Sequence, residues 1–359
     1  MTTIRLSVCV VTLLLASLAQ FHVQAQTQQE NQQENQQYKK TPWGDPHIEG
    51  LWDYRTLTPL QRPDEFGDKA TLSPAEAAAF KQKLTQARLV DGRGSEDAAA
   101  DLEGSYNDFW FDWGTQVDVR TSLLIDPPNG KLPPLTAAAR AQLKENNTNR
   151  KPPVRDMFSY AAGVHVYRPL GPEWLGLSER CLVGFNAGPP LNPSAYNNNL
   201  RIVQTPDYVL LVTEMIHNAR VVPLNRTHAQ IEQWSGVAQG RWEGVTLVVE
   251  TRNFSGKVPT YQLPATLADA AESGAVGKAS DMHLVERFTR QADGIRYEYT
   301  LTDLQTFTAP FTVALNLKPA SGKMFEYACH EGNYAMGGVL RGARLADKEE
   351  AQLHAAGTE

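Results

Sequence analysis

Apolar and polar residues alternate through most of the chain after Asn192. Segments such as RIVQTPDYVLLVTEM, GRWEGVTLVVETRNF and LVERFTRQADGIRYEYTLTD show this two-residue period, which indicates half-buried β-strands. FTVALNLKP and KMFEYACHE extend the strand pattern towards the C-terminus. Turns are predicted at Pro206-Asp207, Asn218-Ala219, Glu243-Gly244 and Asp293-Gly294. Many antiparallel strands with few helices predict a mainly β fold, a meander that closes into a barrel.

The pattern before residue 150 is helical and aromatic instead. Leu72–Ala87 predicts a helix, because Ser73 and Glu76 can form a capping box around Pro74 at the first turn. Thr136–Asn147 predicts a second short helix, and YNDFWFDWG between the two is dense in aromatic residues. We therefore expect short N-terminal helices that pack on the barrel.

The N-terminus indicates export. One charge, Arg5, precedes an apolar run at Leu6–Leu18 and the small residues Val23 and Ala25, which predicts a signal peptide cleaved near Ala25. The run is too short to span a membrane, and no longer apolar run follows. We expect a protein that is periplasmic or secreted after this cleavage. The predicted organisation is a signal peptide (1–25), a disordered Gln-rich linker (26–41), an N-terminal helical and aromatic region (42–150), a main β-barrel portion (151–345) and a polar C-terminal tail (346–359).

The net charge of the chain argues against nucleic acid as a partner. The full chain has a formal charge of −6, and removing the signal peptide takes away Arg5 and no acid, so the charge becomes −7. An acidic protein is poorly suited to bind nucleic acid. A small-molecule ligand or substrate remains compatible with this charge, and the oligomeric state stays open.

The hairpin around Asp293-Gly294 is predicted to place a carboxylate inside the barrel. If these two residues form the turn, Phe288 pairs with Tyr299. One face then carries Leu284, Glu286, Phe288, Tyr297, Tyr299 and Leu301. A carboxylate among aromatic rings is costly unless it is protonated or paired. Glu286 is therefore a candidate general acid and Tyr297 a candidate substrate contact. The alternative for Glu286 is a salt bridge to an arginine across the barrel.

A second constellation lies in TEMIHNARVVPL. If Asn218-Ala219 is a tight turn, His217 and Arg220 face each other on one side of the strand pair. His217 is then a candidate base, and Arg220 a group that stabilises developing negative charge. Glu214 has the opposite parity to His217, so an unbroken strand separates their side chains. The alternative is a turn decorated with polar groups.

The stretch FEYACHEGNYAMGG collects several reactive side chains near the C-terminus. Its glycines suggest that a strand ends there, which would place His330 and Glu331 at a barrel rim with Tyr327 behind them. We take His330 and Glu331 as candidate catalytic groups and Tyr327 as a candidate substrate contact. SAYNNNL adds Tyr196, Asn197 and Asn198 as candidate substrate-binding residues just before the barrel strands.

Two cysteines remain after the signal peptide, Cys181 and Cys329. In an exported chain they favour one disulfide, which would tie LSERC to YACHEG. Two buried free thiols are the alternative.

Several familiar catalytic patterns are absent from the sequence. There is no Gly-x-Ser-x-Gly elbow, His-Glu-x-x-His pair, Cys-x-x-Cys pair or phosphate loop. We therefore predict no cofactor and no metal site. The alternative for the metal is a site formed by His217, His330 and Glu331 with a ligand from outside the chain.

Two resemblances rest on these motifs. RTLTPLQRP, YNNN-RIVQTPDYV, EMIHNARVVPL, GRWEGVTLVVETRNF and YACHEGNY together resemble a family of secreted bacterial proteins. This resemblance implies export and assigns no catalytic residue. Gly50-Leu51-Trp52 is typical of lipocalin-like barrels, where the tryptophan plugs the closed end, and WEGVTLVVE is similar to their turn and strand. This second, weaker resemblance implies an antiparallel lipocalin-like barrel that holds a ligand.

These observations lead to one functional hypothesis and two rivals. The first is an exported enzyme of lyase, isomerase or hydrolase type that performs acid–base chemistry on a small organic substrate in the barrel. The second is a periplasmic binding or carrier protein without turnover. The third is an interaction domain of the cell envelope.

Overall fold

The computed structural model describes residues 39–88, 111–114, 116–149, 169, 171–184, 186–195, 197–227, 229–263 and 274–356. The predicted signal peptide and most of the Gln-rich linker lie outside these residues. Within them the α-helices are α1 (Pro74–Arg88), α2 (Ala137–Asn149) and α3 (Tyr334–Ala356). The strands are β1 (Gly50–Asp53), β2 (Leu124–Asp126), β3 (Asn199–Gln204), β4 (Tyr208–Thr213), β5 (Ala219–Pro223), β6 (Val237–Glu243), β7 (Thr246–Arg252), β8 (Tyr261–Leu263), β9 (Gly274–Val276), β10 (His283–Gln291), β11 (Gly294–Thr302) and β12 (Phe311–Pro319).

Nine of these strands form a nearly closed antiparallel barrel. Their order is β5-β4-β3-β1-β12-β11-β10-β7-β6, and β2 adds to β12 outside this path. The two edge strands approach each other at a single bridge between Leu224, just after β5, and Gly240 on β6. The Asn225 amide donates to the Gly240 carbonyl there at 2.8 Å. The predicted mainly β, lipocalin-like barrel is confirmed.

The two ends of the barrel differ. Tight turns after Gln204, Glu243 and Gln291 join the strands at one end, which we call the hairpin end. β3 begins and β4 ends at the other, with Asn199 paired near Thr213. We call this the loop end, because long connections enter and leave the barrel there.

Trp52 closes the hairpin end. Its side chain is 4% exposed, and its Nε1 donates to the Ile48 carbonyl at 2.9 Å. The Arg290 guanidinium lies over the indole, 5.6 Å from the ring centroid. Such a stack is favourable for a cation that is partly removed from water. The tryptophan of the Gly-x-Trp motif therefore lies at the closed end, as expected for a lipocalin-like barrel.

The β10–β11 hairpin keeps the predicted faces but not the predicted register. Phe288 pairs with Tyr297 rather than Tyr299, and Ala292 and Asp293 form the turn. The inner face is as expected, since each predicted inward side chain is fully buried. A shift of two residues leaves side chains on the same face, so the alternation could not exclude it.

Gly294 explains this shift. Its φ is not in the left-handed region, so the residue is not required by a tight turn. A Cβ added to Gly294 would lie 2.3 Å from the Leu317 carbonyl oxygen on β12. Glycine is needed here because the neighbouring backbone approaches closely.

The predicted N-terminal cap of the first helix is confirmed. The Ser73 amide donates to Glu76 Oε2 at 2.9 Å, and the Glu76 amide donates to Ser73 Oγ at 3.4 Å. The second helix is also present, and Leu143 joins the main core through it. However, residue 150 is not a structural boundary, because β1 and β2 come from the N-terminal region and belong to the sheet.

The predicted strand KMFEYACHE is wrong. Both edges of β12 are already occupied, by β11 on one side and by β1 and β2 on the other. Residues 320–333 therefore run outside the barrel without a strand partner among the described residues. Helix α3 (Tyr334–Ala356) follows, and it includes most of the residues predicted as a polar tail.

Replacement of Gly294 by alanine tests the close approach of β11 and β12. The added methyl group meets backbone, which cannot move away cheaply, so we expect Gly294→Ala to lower the free energy of unfolding by about 1–3 kcal/mol. Gly256→Ala is the control, because its Cβ would find its nearest neighbour, Ser280, at 3.7 Å. Urea unfolding should show little change for this control. Equal losses for both variants would contradict the register.

Candidate functional site

An ion pair crosses the interior of the barrel. Arg220 on β5 binds Glu286 on β10 through two hydrogen bonds, Nη1 to Oε1 at 3.1 Å and Nη2 to Oε2 at 2.5 Å. The Glu286 side chain is fully buried and the Arg220 side chain is 6% exposed. Arg220 Nη2 also donates to Thr251 Oγ1 on β7 at 3.2 Å. The pair therefore joins an edge strand to two strands of the other half of the barrel.

This ion pair argues against the predicted role of Glu286 as a general acid. Both carboxylate oxygens accept from Arg220, and Oε1 also accepts from the Tyr297 hydroxyl at 2.8 Å. The arrangement is the salt bridge across the barrel that the sequence left as an alternative. An occupied, charge-compensated carboxylate is a poor proton donor, so the geometry favours the salt bridge over the acid role for Glu286.

Two buried tyrosines connect this ion pair to a loop. The Tyr297 hydroxyl accepts a hydrogen bond from the Leu191 amide at 3.0 Å, and the Tyr299 hydroxyl donates to Asn192 Oδ1 at 2.8 Å. Tyr299 also shares a 2.9 Å hydrogen bond with the hydroxyl of Tyr261. Tyr297 therefore faces a loop of this same chain, where the sequence predicted a substrate contact.

Burial changes the ionisation of these phenols. It raises the pKa of Tyr297 well above its usual value near 10, and the Glu286 carboxylate raises it further. Burial also raises the pKa of Tyr299 well above the usual value, and Tyr261 adds to this effect. Both phenols stay neutral in the folded protein over the physiological range and act as hydrogen-bonding groups rather than bases.

The predicted amide cluster is structural in its described part. Asn198 is buried, its Nδ2 donates to the Ser194 carbonyl at 2.8 Å and its Oδ1 accepts from the Ser194 amide at 2.8 Å. The Asn197 carbonyl accepts from Asn186 Nδ2 at 3.3 Å. Tyr196 lies outside the described residues. Asn197 and Asn198 therefore fix the loop that leads into β3.

The predicted pairing of His217 with Arg220 is wrong. Residues between Thr213 and Ala219 form a wide turn, and Arg220 pairs with Leu211 on β4. His217 lies in a short 3-10 segment, Met215–His217, and its side chain is exposed. The inward Arg220 and the exposed His217 are separated because the strand does not continue through Asn218.

This turn contains a rare backbone conformation. Ile216 has φ 46° and ψ 26°, and His217 has φ 43°. A β-branched residue in the left-handed region is strained, at a cost on the order of 1–3 kcal/mol, and persists only where surrounding contacts enforce it. Met215 and Ile216 pack with Ala187 in a small apolar cluster at this end of the barrel. Such outliers are concentrated at functional sites.

The contact that His217 makes fixes its tautomer. Nδ1 lies 3.1 Å from the Tyr327 carbonyl oxygen. A carbonyl can only accept, so Nδ1 carries the proton and Nε2 of the neutral ring carries a lone pair. Because the side chain is exposed, that lone pair is directed to a position that a small molecule can reach.

A disulfide holds the partner of His217 in place. Cys181 and Cys329 are bonded, with an Sγ–Sγ distance of 1.98 Å across 148 residues of sequence. Asn333 Nδ2 adds a hydrogen bond to the Glu179 carbonyl at 2.7 Å. We call residues 325–333 the strap. Tyr327 and Cys329 of the strap pack against the cluster beneath His217.

The other strap candidates face solvent. His330 and Glu331 are both exposed, and their side chains form no hydrogen bond or ion pair within the described part of the chain. The strap therefore brings Tyr327 to His217 through its backbone carbonyl. The structure supplies no contact that gives His330 or Glu331 a specific role.

The predicted residues thus fall into two groups. Arg220, Glu286 and Tyr297 meet inside the barrel, and His217 meets Tyr327 at the rim near the disulfide. One loop links the two groups. Asn218, next to His217, donates from Nδ2 to the Gly188 carbonyl at 3.5 Å. The same loop carries Leu191, whose amide binds the Tyr297 hydroxyl.

Metal ligands and membrane spans are both missing from the part of the chain that the structure describes. No group of three or more His, Cys, Asp or Glu side chains in that part is arranged to hold a metal ion. Within the same residues, every helix is too short or too polar to cross a bilayer.

Comparison of the chain with protein-family models, with curated proteins and with solved structures finds no significant match. Function is therefore inferred from the geometry of the site.

Sequence reasoning missed the residues that connect the two groups. Leu191 and Asn192 were not singled out, although GFNAGPPLNPS has no strand period and is rich in Pro and Gly. That composition is the signal for a long connection, and long connections at a barrel end are frequent places for sites. The Tyr327 carbonyl has no sequence signal, because every residue carries one.

Breaking the interior ion pair should be costly, whereas replacing both partners should not. We expect Glu286→Leu to lower the free energy of unfolding by about 3–5 kcal/mol, because Arg220 is left buried without its counter-ion. The double variant Arg220→Met/Glu286→Leu should recover most of this loss. Urea unfolding of both variants and wild type measures it, and a single variant as stable as wild type would rule out the buried pair.

The buried phenols predict a loss of stability at alkaline pH. The unfolded chain releases phenolic protons near pH 10, whereas Tyr54, Tyr261, Tyr297 and Tyr299, whose pKa values are all raised, keep theirs in the folded protein. Stability present below pH 10 should therefore fall as the pH rises, by about 1.4 kcal/mol per pH unit for each such tyrosine. Urea unfolding on both sides of pH 10 measures this slope. Tyr299→Phe should reduce the slope by about 1.4 kcal/mol per pH unit. An unchanged slope would contradict the raised pKa of Tyr299.

Proposed function

We propose that the protein is an exported enzyme that performs acid–base chemistry on a small organic molecule at the loop end of the barrel, with His217 as the general base. The observation that carries the proposal is the bond from His217 Nδ1 to the Tyr327 carbonyl, which places the proton of the neutral ring on Nδ1 and the lone pair on Nε2 of an exposed side chain. A general base needs a lone pair within reach of the substrate proton and a fixed orientation.

Support also comes from how the turn is held. The left-handed backbone at Ile216 and His217 is costly, and the disulfide at Cys329 fixes the strap that orients the imidazole. Strain and a covalent tie at one exposed histidine exceed what a solvated turn needs. They are the expected devices for presenting a base in one geometry.

The interior ion pair has a supporting part in this proposal. Arg220 and Glu286 compensate each other's charge, so neither transfers a proton. Their pairing fixes the start of β5, immediately after the turn that carries His217. The reaction class is a proton abstraction that leads to elimination, isomerisation or hydrolysis.

Export is supported by two independent features. The N-terminal sequence has the three-part plan of a signal peptide, and the Cys181–Cys329 bond is of the kind that persists in oxidising compartments. We place the mature protein in the periplasm or outside the cell.

The second candidate function is a binding or carrier protein without turnover. Its support is the interior ion pair, because Arg220 and Glu286 compensate each other's charge and can serve as fixed polar anchors for a ligand. Under this alternative the barrel holds a ligand, and His217 contributes only to its surface.

A ligand screen with product analysis, followed by one histidine variant, separates these functions. Thermal shift of the mature protein with sugars, phenolics, terpenoids and fatty acids identifies ligands, and mass spectrometry of each mixture detects turnover. For a compound that is converted, we expect His217→Gln to lower kcat/KM by about 100-fold or more with little change in stability.

His283→Gln is the matched control. His283 also makes a hydrogen bond, to Glu250 Oε1 at 2.8 Å, but lies on the outside of the barrel. This variant should retain activity. Full activity of His217→Gln would refute the proposed base, and a ligand that binds but stays intact would favour the carrier.

A further inference from the structure

A loop of the chain occupies the interior of the barrel from the loop end. Leu191 lies outside the strands, yet its side chain is only 2% exposed and belongs to the main core. Its amide and the side chain of Asn192 bind the hydroxyls of Tyr297 and Tyr299. We call residues 186–195 the plug and Leu191-Asn192 its tip.

The tip supplies bonds that the barrel does not supply for itself. Tyr297 has one partner inside the barrel, Glu286, and Tyr299 has one inward partner, Tyr261. Each hydroxyl completes its bonding with an atom of the tip. The tip therefore presents an apolar group, a donor and an acceptor to the interior, as a small organic ligand would.

The tip is weakly held compared with the ends of the plug. The ends are fixed by Asn198, whose side chain binds the amide and the carbonyl of Ser194, and by Asn186. Between Gly188 and Pro193 the described backbone forms no backbone–backbone hydrogen bond, and its three prolines have no amide to donate. Segments held by few backbone hydrogen bonds open at low free energy.

One buried donor of the interior ion pair has no acceptor. Arg220 Nε is buried and forms no hydrogen bond, although Nη1 and Nη2 of the same side chain are bonded to Glu286 and Thr251. Orphaned buried donors are rare and indicate a missing partner. Glu286 links this arginine directly to the Tyr297 hydroxyl that the tip binds.

We propose that the tip of the plug occupies a ligand site, and that a small, mainly apolar molecule with one oxygen acceptor binds in the barrel by displacing Leu191 and Asn192. Its apolar body takes the place of the Leu191 side chain. Its oxygen takes the place of Asn192 Oδ1 as acceptor from the Tyr299 hydroxyl. The site does not depend on the role of His217, so it holds for an enzyme and for a carrier.

Fluorescence of the naphthalene ketone prodan tests the site, since this probe has an apolar body and one carbonyl acceptor. In wild type the tip competes with the probe. We expect Leu191→Gly/Asn192→Gly to bind prodan saturably, with blue-shifted emission and an affinity at least about tenfold higher than wild type. Adding Tyr299→Phe to this variant should weaken binding about fivefold, because the acceptor loses its donor.

Ile231→Gly/Glu232→Gly is the control, because it puts the same two glycines into an exposed loop far from the tip in sequence. It should bind prodan as wild type does. A folded tip variant that binds no better than this control overturns the proposal.

Hydrogen exchange of wild type decides the question if the tip variant does not fold. At saturating prodan, the Leu191 amide should exchange faster, because the probe releases it from the Tyr297 hydroxyl. Unchanged or slower exchange at this amide with prodan bound, or no saturable binding at all, overturns the proposal.

Discussion

The ion pair between Arg220 and Glu286 connects strands across the seam of the barrel, where the described part of the chain has almost no ladder of backbone hydrogen bonds. The edges of the sheet, β5 and β6, meet at the single bridge between Leu224 and Gly240. Arg220 reaches from the edge strand β5 to Thr251 on β7 and Glu286 on β10, the second and third strands beyond that seam. A buried pair is expensive to desolvate, so we infer that its value here is to specify which strands meet at the seam.

Closing the barrel in this way separates scaffold from site. The hairpin end is sealed by Trp52 under Arg290, and the interior is filled by aromatic side chains. The plug, the β4–β5 turn and the strap converge at the loop end. The Cys181–Cys329 bond ties the strap to the segment that precedes the plug. The strained turn at His217 packs between Ala187 of the plug and Tyr327 and Cys329 of the strap. The strands thus form a rigid scaffold, and the segments that connect them at the loop end carry the side chains of the candidate site.

The sequence predicted features that follow from local residue patterns, such as the inner face of a strand and the start of a helix. It did not predict features that depend on the contacts between distant strands and on where each strand ends. Alternation identified the inner face of β10 and β11 in full, and a local capping box identified the start of α1. The register of the hairpin failed because Gly294 serves a close approach to Leu317 and not a turn. A glycine that forms a tight turn and a glycine that lies under a neighbouring strand look the same in the sequence. Only the packing between distant strands distinguishes them.

The site was harder to predict for the same reason. His217 was singled out, but its expected partner was Arg220, because nothing in TEMIHNAR announces two residues in the left-handed region. The strap was taken for a strand from its alternation, although no edge of β12 is free to pair with it. Helix α3 was missed because Gly337 and Gly338 read as breakers, whereas they lie on its exposed side.

The protonation of the His217 ring is the most direct test of the proposed base. Long-range nitrogen–proton correlation spectra of the mature protein labelled with 15N-histidine report which ring nitrogen of His217 carries the proton, and comparison with His217→Gln assigns the signal. We predict that the neutral form of the ring carries its proton on Nδ1, because the Tyr327 carbonyl accepts from Nδ1. A neutral ring that carries its proton on Nε2 would mean that the strap does not orient this histidine, and the proposed base would be lost with it.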